Sequence, residues 1–187
     1  PVALRTDAVN TDIGYPRMAF YNNEIPWALS QFKALRSSTT KLIANDAMSY
    51  SILIEENIDQ DSTYNGLRIF ANAEKEIEYN NLSLAKQYLD SINTSYLYHP
   101  LFDEVLILRA KISILEKEFE QAKEYLKESL KKYPYELTAD DALYILSDIY
   151  LNKTKEISLA KETLEKIIID YPNSIYVIEA RKLLSEL

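Results

Sequence analysis

Few residues in this chain could do chemistry. There is one histidine, His99, and no cysteine. His99 sits in Tyr98-His99-Pro100, at a junction between helical runs, and no serine or acid is spaced to form a proton relay with it. A turn or cap role suits it better than that of a base. Without cysteine there is no thiolate nucleophile, no disulfide and no thiolate zinc site. Carboxylates are plentiful: Glu55 and Glu56; Glu74, Glu76 and Glu78; Asp140 and Asp141. Glu74 and Glu78 share a helix face at i, i+4. A dinuclear carboxylate site would add Glu-x-x-His partners, and the sequence has none. Asp59, Asp61 and Thr63 resemble the start of a calcium loop, without its later glycine or its twelfth-position glutamate. These residue types point away from catalysis, a metal or a cofactor, and toward a surface that works by contact.

The composition narrows the elements that carry that surface. The 187 residues include only two glycines. That is too few for a phosphate-cradling loop, a dinucleotide fingerprint or the turns of a β-sandwich, so an all-α chain of about ten helices is expected. Asp and Glu number 29 against 21 Lys and Arg, a net charge of −8. Such a surface repels phosphate backbones and anionic lipid, so neither nucleic acid nor a membrane surface is an expected ligand. No stretch approaches the ~18 apolar residues of a membrane span, so direct insertion is not expected. The chain opens Pro1-Val2-Ala3 and reads as a fragment of a longer protein whose targeting segment is out of view.

Three segments align: Leu82-Ser-Leu-Ala85-Lys-Gln-Tyr-Leu89, Phe119-Glu-Gln-Ala122-Lys-Glu-Tyr-Leu126 and Ile157-Ser-Leu-Ala160-Lys-Glu-Thr-Leu164. A looser fourth copy is Ile25, Ala28, Phe32, Leu35. Offsets of 0, 3, 7 and 10 follow one stripe of a helix. The alanine leaves room for a second helix to approach, whereas the following lysine, such as Lys123, is expected on the exposed side. Tyr133-Pro134 and Tyr171-Pro172 close two of the stripe helices. Other helical runs lie between stripes, with Leu106, Ala110 and Ile114 in one and Leu143, Leu146 and Tyr150 in the next. The unit is therefore a pair of antiparallel helices.

This pattern resembles the tetratricopeptide repeat family. Leu143, Leu146, Ser147, Tyr150, Ala160, Leu164 and Pro172 match its signature in the last full repeat, and Leu106, Ala110, Ala122, Leu126 and Pro134 in the one before. In the copy ending at Ile92, Ile69, Ala73, Ala85 and Leu89 match. The resemblance implies one continuous right-handed α-solenoid. Residues 61–187 would hold three repeats and a C-terminal capping helix over Ile175–Leu187. Residues 1–60 would hold a less regular repeat with an extra helix at Lys41–Asn57. Asp140-Asp-Ala142, Tyr171-Pro-Asn-Ser-Ile-Tyr176 and Glu179-Ala-Arg181 further resemble the repeats of bacterial cell-envelope assembly lipoproteins and of Bacteroidetes-type tetratricopeptide proteins. That second resemblance implies a periplasmic or envelope location, with a cytoplasmic one as the alternative.

In such a solenoid the first helix of each pair lines a concave face. The residues expected there are Phe70, Glu74 and Ile77, then Ile107, Lys111 and Ile114, then Tyr144, Asp148 and Leu151. This is an apolar stripe with sparse charge, and it lacks the Lys, Asn and Arg cluster with which some family members grip carboxyl-terminal peptides. The expected function is a non-enzymatic scaffold that binds a protein or peptide partner on this face, with no cofactor. The alternative is a structural segment that packs against other domains of its own longer chain.

Overall fold

The computed structural model describes residues 13–37, 41–58, 63–95 and 101–187. Every regular element among them is helical: α1 Gly14–Tyr21, α2 Ile25–Leu35, α3 Lys41–Glu56, α4 Asn65–Glu78, α5 Leu82–Ser95, α6 Phe102–Leu115, α7 Phe119–Lys132, α8 Ala139–Asp148, α9 Ile157–Asp170 and α10 Val177–Ser185. The all-α expectation, with about ten helices, holds. Prolines set several boundaries. Pro26 stands in the first turn of α2, where its missing N–H would have had no intrahelical partner. Pro16 likewise falls at the start of α1. α7 and α9 stop just before Tyr133-Pro134 and Tyr171-Pro172.

The chain forms two compact units, one ending at Phe102 and the other running Asp103–Leu187. In the first, α1 packs on α2 and α4, α2 on α3, and α4 on α5. In the second, α7 packs on α8, α8 on α9, and α9 on α10. The stripe alanines Ala28, Ala85, Ala122 and Ala160 are all fully buried. Around Ala122 and Ala160 lie Ile107, Ala110, Leu126, Ala142, Leu146, Ile149 and Tyr150. A second cluster of Leu143, Leu164, Ile167, Val177 and Ala180 seats α10 on the last pair. Both clusters are apolar and closely packed, which is where the unit gains most of its stability.

One turn joins the helices of every pair. Asn23, Asn80, Lys117 and Lys155 are left-handed, with φ of 64°, 59°, 65° and 61°, and each precedes its stripe alanine by five residues. The next residue's N–H reaches five residues back to close the preceding helix: Glu24 to Ala19, Asn81 to Glu76 and Glu118 to Ser113, at 2.8–2.9 Å. This is the Schellman closure. The carbonyl of that same residue then accepts the N–H of the alanine, for example Glu118 from Ala122 at 3.0 Å. The turn thus fixes the alanine at a constant offset from the helix before it. In the last pair Glu156 reaches six residues back, to Tyr150 at 2.8 Å. A π-helical turn over Ile149–Thr154 accommodates the extra residue.

Candidate protein-binding surface

The left-handed turn gives each helix pair a common register. Counted back from the left-handed residue, Glu74 and Lys111 each lie six before Asn80 and Lys117. The same count from Asn23 gives Arg17, which the sequence reading did not include. In the last pair, allowing for the one inserted residue, it gives Asp148. The inner position therefore reads Arg17, Glu74, Lys111, Asp148, with charge alternating along the repeat order.

The first unit spends its share of these charges on itself. Arg17 donates from Nη2 to Glu78 Oε1 at 3.0 Å and to the Tyr21 hydroxyl at 2.7 Å. Its guanidinium carbon lies 5.6 Å from the Tyr21 ring centroid and 5.9 Å from that of Tyr50, within cation–π range. The Tyr50 hydroxyl donates to Glu74 Oε1 at 2.8 Å, and its ring stacks on Phe32 and meets Phe20 edge-on. Burial works against the charge on Arg17, but Tyr50, Tyr21 and Glu74 outweigh it and hold the guanidinium protonated. Burial, reinforced by Glu74, pushes the Tyr50 and Tyr21 hydroxyls far above their ordinary value, so both stay protonated. Phe70 is 4% exposed and Ile77 is buried as well. The open apolar stripe expected on α4 is therefore corrected: Phe70 and Ile77 are core, and Glu74 is occupied by Tyr50.

In the second unit Ile107 is also core, 5% exposed within the cluster around Ala122. This differs from the expected exposure. An α6 residue that faces inward also faces the α7 and α8 stripe, and its side chain is large enough to be taken up there. Lys111, Ile114, Tyr144, Asp148 and Leu151 remain half-exposed. Tyr144 stacks on Tyr176, with centroids 4.1 Å apart and rings 10° from parallel. Tyr176 is anchored in turn by a hydrogen bond from its hydroxyl to Asp141 Oδ1. Burial raises the Tyr144 hydroxyl above its ordinary value, and Glu179 and Asp148 add to the shift, so it too stays protonated. Asp148 accepts from Asn152 Nδ2 at 2.6 Å. The surface is a fixed aromatic platform with the carboxylates of Glu179 and Asp148 acting on it, and Lys111 stands on α6.

Lys123, the lysine after Ala122, is not the free surface group expected. Lys123 has a side chain only 7% exposed, and its ammonium lies between Glu120 at 2.8 Å and Glu156 at 2.6 Å, above the Tyr150 ring at 5.5 Å. Glu156 belongs to the turn of the next repeat, so Lys123 staples one pair to the following one. Burial opposes its charge, and the two glutamates more than compensate, so its pKa is raised. Lys161 makes the corresponding forward bond to the Leu187 carbonyl at 3.0 Å. Replacing Lys123 by alanine is expected to cost about 1–2 kcal/mol, because the bonds are charge-assisted but the glutamates can turn to water. Lys127→Ala should stay within about 0.5 kcal/mol. Denaturant midpoints of the two variants check this.

The remaining candidates disperse. Glu55 pairs with Lys33 and Arg36, which lower its pKa. Asp140 caps the N–H of Asp141. No group of three potential metal-ligating side chains occurs among the described residues. His99, Asp59 and Asp61 lie outside the described residues, as does the cap expected at Asp61 or Ser62.

The family model of the YfiO outer membrane lipoproteins matches residues 63–187, from the residues just before α4 to the end of α10. The chain belongs to this family. The matched span carries the three Ala-Lys repeats and both half-exposed inner helices of the second unit. No curated protein and no solved structure matches the chain significantly. No described helix is long and apolar enough to cross a membrane.

Proposed function

We propose that this chain is a non-catalytic scaffold of the bacterial cell envelope that binds a protein or peptide partner on the inner face of its second unit. Membership of the outer membrane lipoprotein family carries the reading. The half-exposed group of Lys111, Ile114, Tyr144, Asp148 and Leu151 supplies the surface. Ile107 lies beneath that surface rather than on it, and Phe70, Glu74 and Ile77 are taken up within the first unit. An aromatic platform beside opposite charges suits a segment that brings an apolar side chain to Tyr144 and a cation to Asp148.

Engagement of the inner charges within the first unit favours a second reading for that part alone, as a structural segment that packs against other domains of its own longer chain and binds no external ligand. A double charge reversal, Lys111→Glu with Asp148→Lys, tests the main reading. It should reduce partner capture at least tenfold while leaving the melting temperature within about 3 °C, since neither side chain is core. Unchanged capture would move the binding surface elsewhere.

A further inference from the structure

Two adjacent carboxyls stand at the start of α6, and one of them has too few donors. Asp103 is buried and accepts from the Thr138 hydroxyl at 2.8 Å. Thr138 is the residue before α8, so this bond ties the start of α6 to the end of the α7–α8 loop. Glu104, the next residue, has Oε2 buried with no donor reaching it. A buried acceptor without a donor is costly. A proton held between the two carboxyls would remove that cost, because it turns one acceptor into a donor.

The side chains that bear on Glu104 add to the negative charge, and its backbone N–H opposes them in part. Glu136, from the loop, acts on Glu104, and Tyr133, at the other end of the loop, lies close enough to sense both carboxyls. Lys132 acts on Tyr133 but is held by Glu128. Burial first, then the hydrogen bond and charge of Asp103, push the Glu104 carboxyl well above its ordinary value. The loop so tied presents Tyr135, 96% exposed, and Leu137.

We propose that Asp103 and Glu104 form a proton-operated tie: a shared proton anchors the α7–α8 loop, and its loss loosens the loop that presents Tyr135 and Leu137. The direction follows from linkage. A carboxyl whose folded value is raised contributes its stability at low pH, and that contribution is lost as pH climbs past the ordinary carboxylate range of about 4.3 toward the raised value.

Hydrogen exchange of the Glu136 and Ala139 amides, corrected for intrinsic rates, tests it on the whole chain at pH 5 and pH 8. Protection should fall at least ~10-fold between the two in the wild type and stay constant in Glu104→Gln, whose amide keeps a donor at both pH values. Asp103→Asn should move the wild-type transition to lower pH. The same loss in Glu104→Gln, or none in the wild type, overturns the proposal. If Glu104→Gln does not fold, a direct carboxyl titration of wild-type Glu104 decides. A midpoint in the ordinary carboxylate range overturns the tie, and a raised one supports it.

Discussion

Arginine in place of Ala122 or Ala160 should unfold the second unit, at a cost above about 3 kcal/mol. Both alanines are fully buried in the cluster that joins α6, α7, α8 and α9. Each sits where the turn before it fixes the backbone, through the Glu118–Ala122 and Glu156–Ala160 bonds. The helix therefore cannot rotate to carry a longer side chain outward. An arginine there must overpack Leu126 or Leu164 or bring a guanidinium into an apolar layer, and both are among the few routes to a large loss. Thermal melts should show the drop in either variant, while Ala→Ser at the same sites should cost much less. Equal melting temperatures for Ala122→Arg and wild type would remove the repeat argument.

Arg17→Met should destabilise the first unit by about 2–3 kcal/mol. Removing one partner of a buried charge pair leaves the other uncompensated. Glu74 already has a buried Oε2 without a partner, and Tyr21 would lose its hydrogen bond. The cost falls below that of breaking a fully buried pair because Glu78 is 42% exposed and can turn to water. A double cycle with Glu78→Gln apportions the effect. If Arg17→Met costs less than about 0.5 kcal/mol, the network is not a structural one, and α1 is held by its buried Pro16, Ala19 and Phe20.

The repeat was legible because alanine and lysine at fixed offsets are residue types that can be counted. The all-α class was legible from two glycines. The turn that enforces the offsets was hidden, since Lys117 and Lys155 occupy a left-handed position where glycine would have been the signal. The π turn was hidden as well, because one inserted residue leaves no composition mark. Lys123 was misread for a third reason. A lysine on a stripe helix looks solvated until its partner is found 33 residues on, and only the stacking of repeats brings Glu156 there. The inner face was half legible. The positions 70, 107 and 144 do share a register, but register does not say which side chains a neighbouring helix will cover. Phe70 and Ile107 are covered and Tyr144 is only partly so. Arg17 was missed because the first repeat stands 57 residues from the next rather than 37, so its inner position was never counted.

Site-specific photo-crosslinking in intact envelopes distinguishes a partner on the inner face of the second unit from one bound elsewhere. A photoreactive residue is placed in turn at Lys111, Ile114, Tyr144, Asp148 and Leu151, and at the exposed outer positions Glu162, Glu165 and Lys166 of α9. If the inner face of the second unit binds a partner, one discrete adduct forms from the first set and is absent from the second, and the Lys111→Glu, Asp148→Lys reversal abolishes it. Adducts of equal yield from both sets, or from the α9 positions alone, would contradict that account.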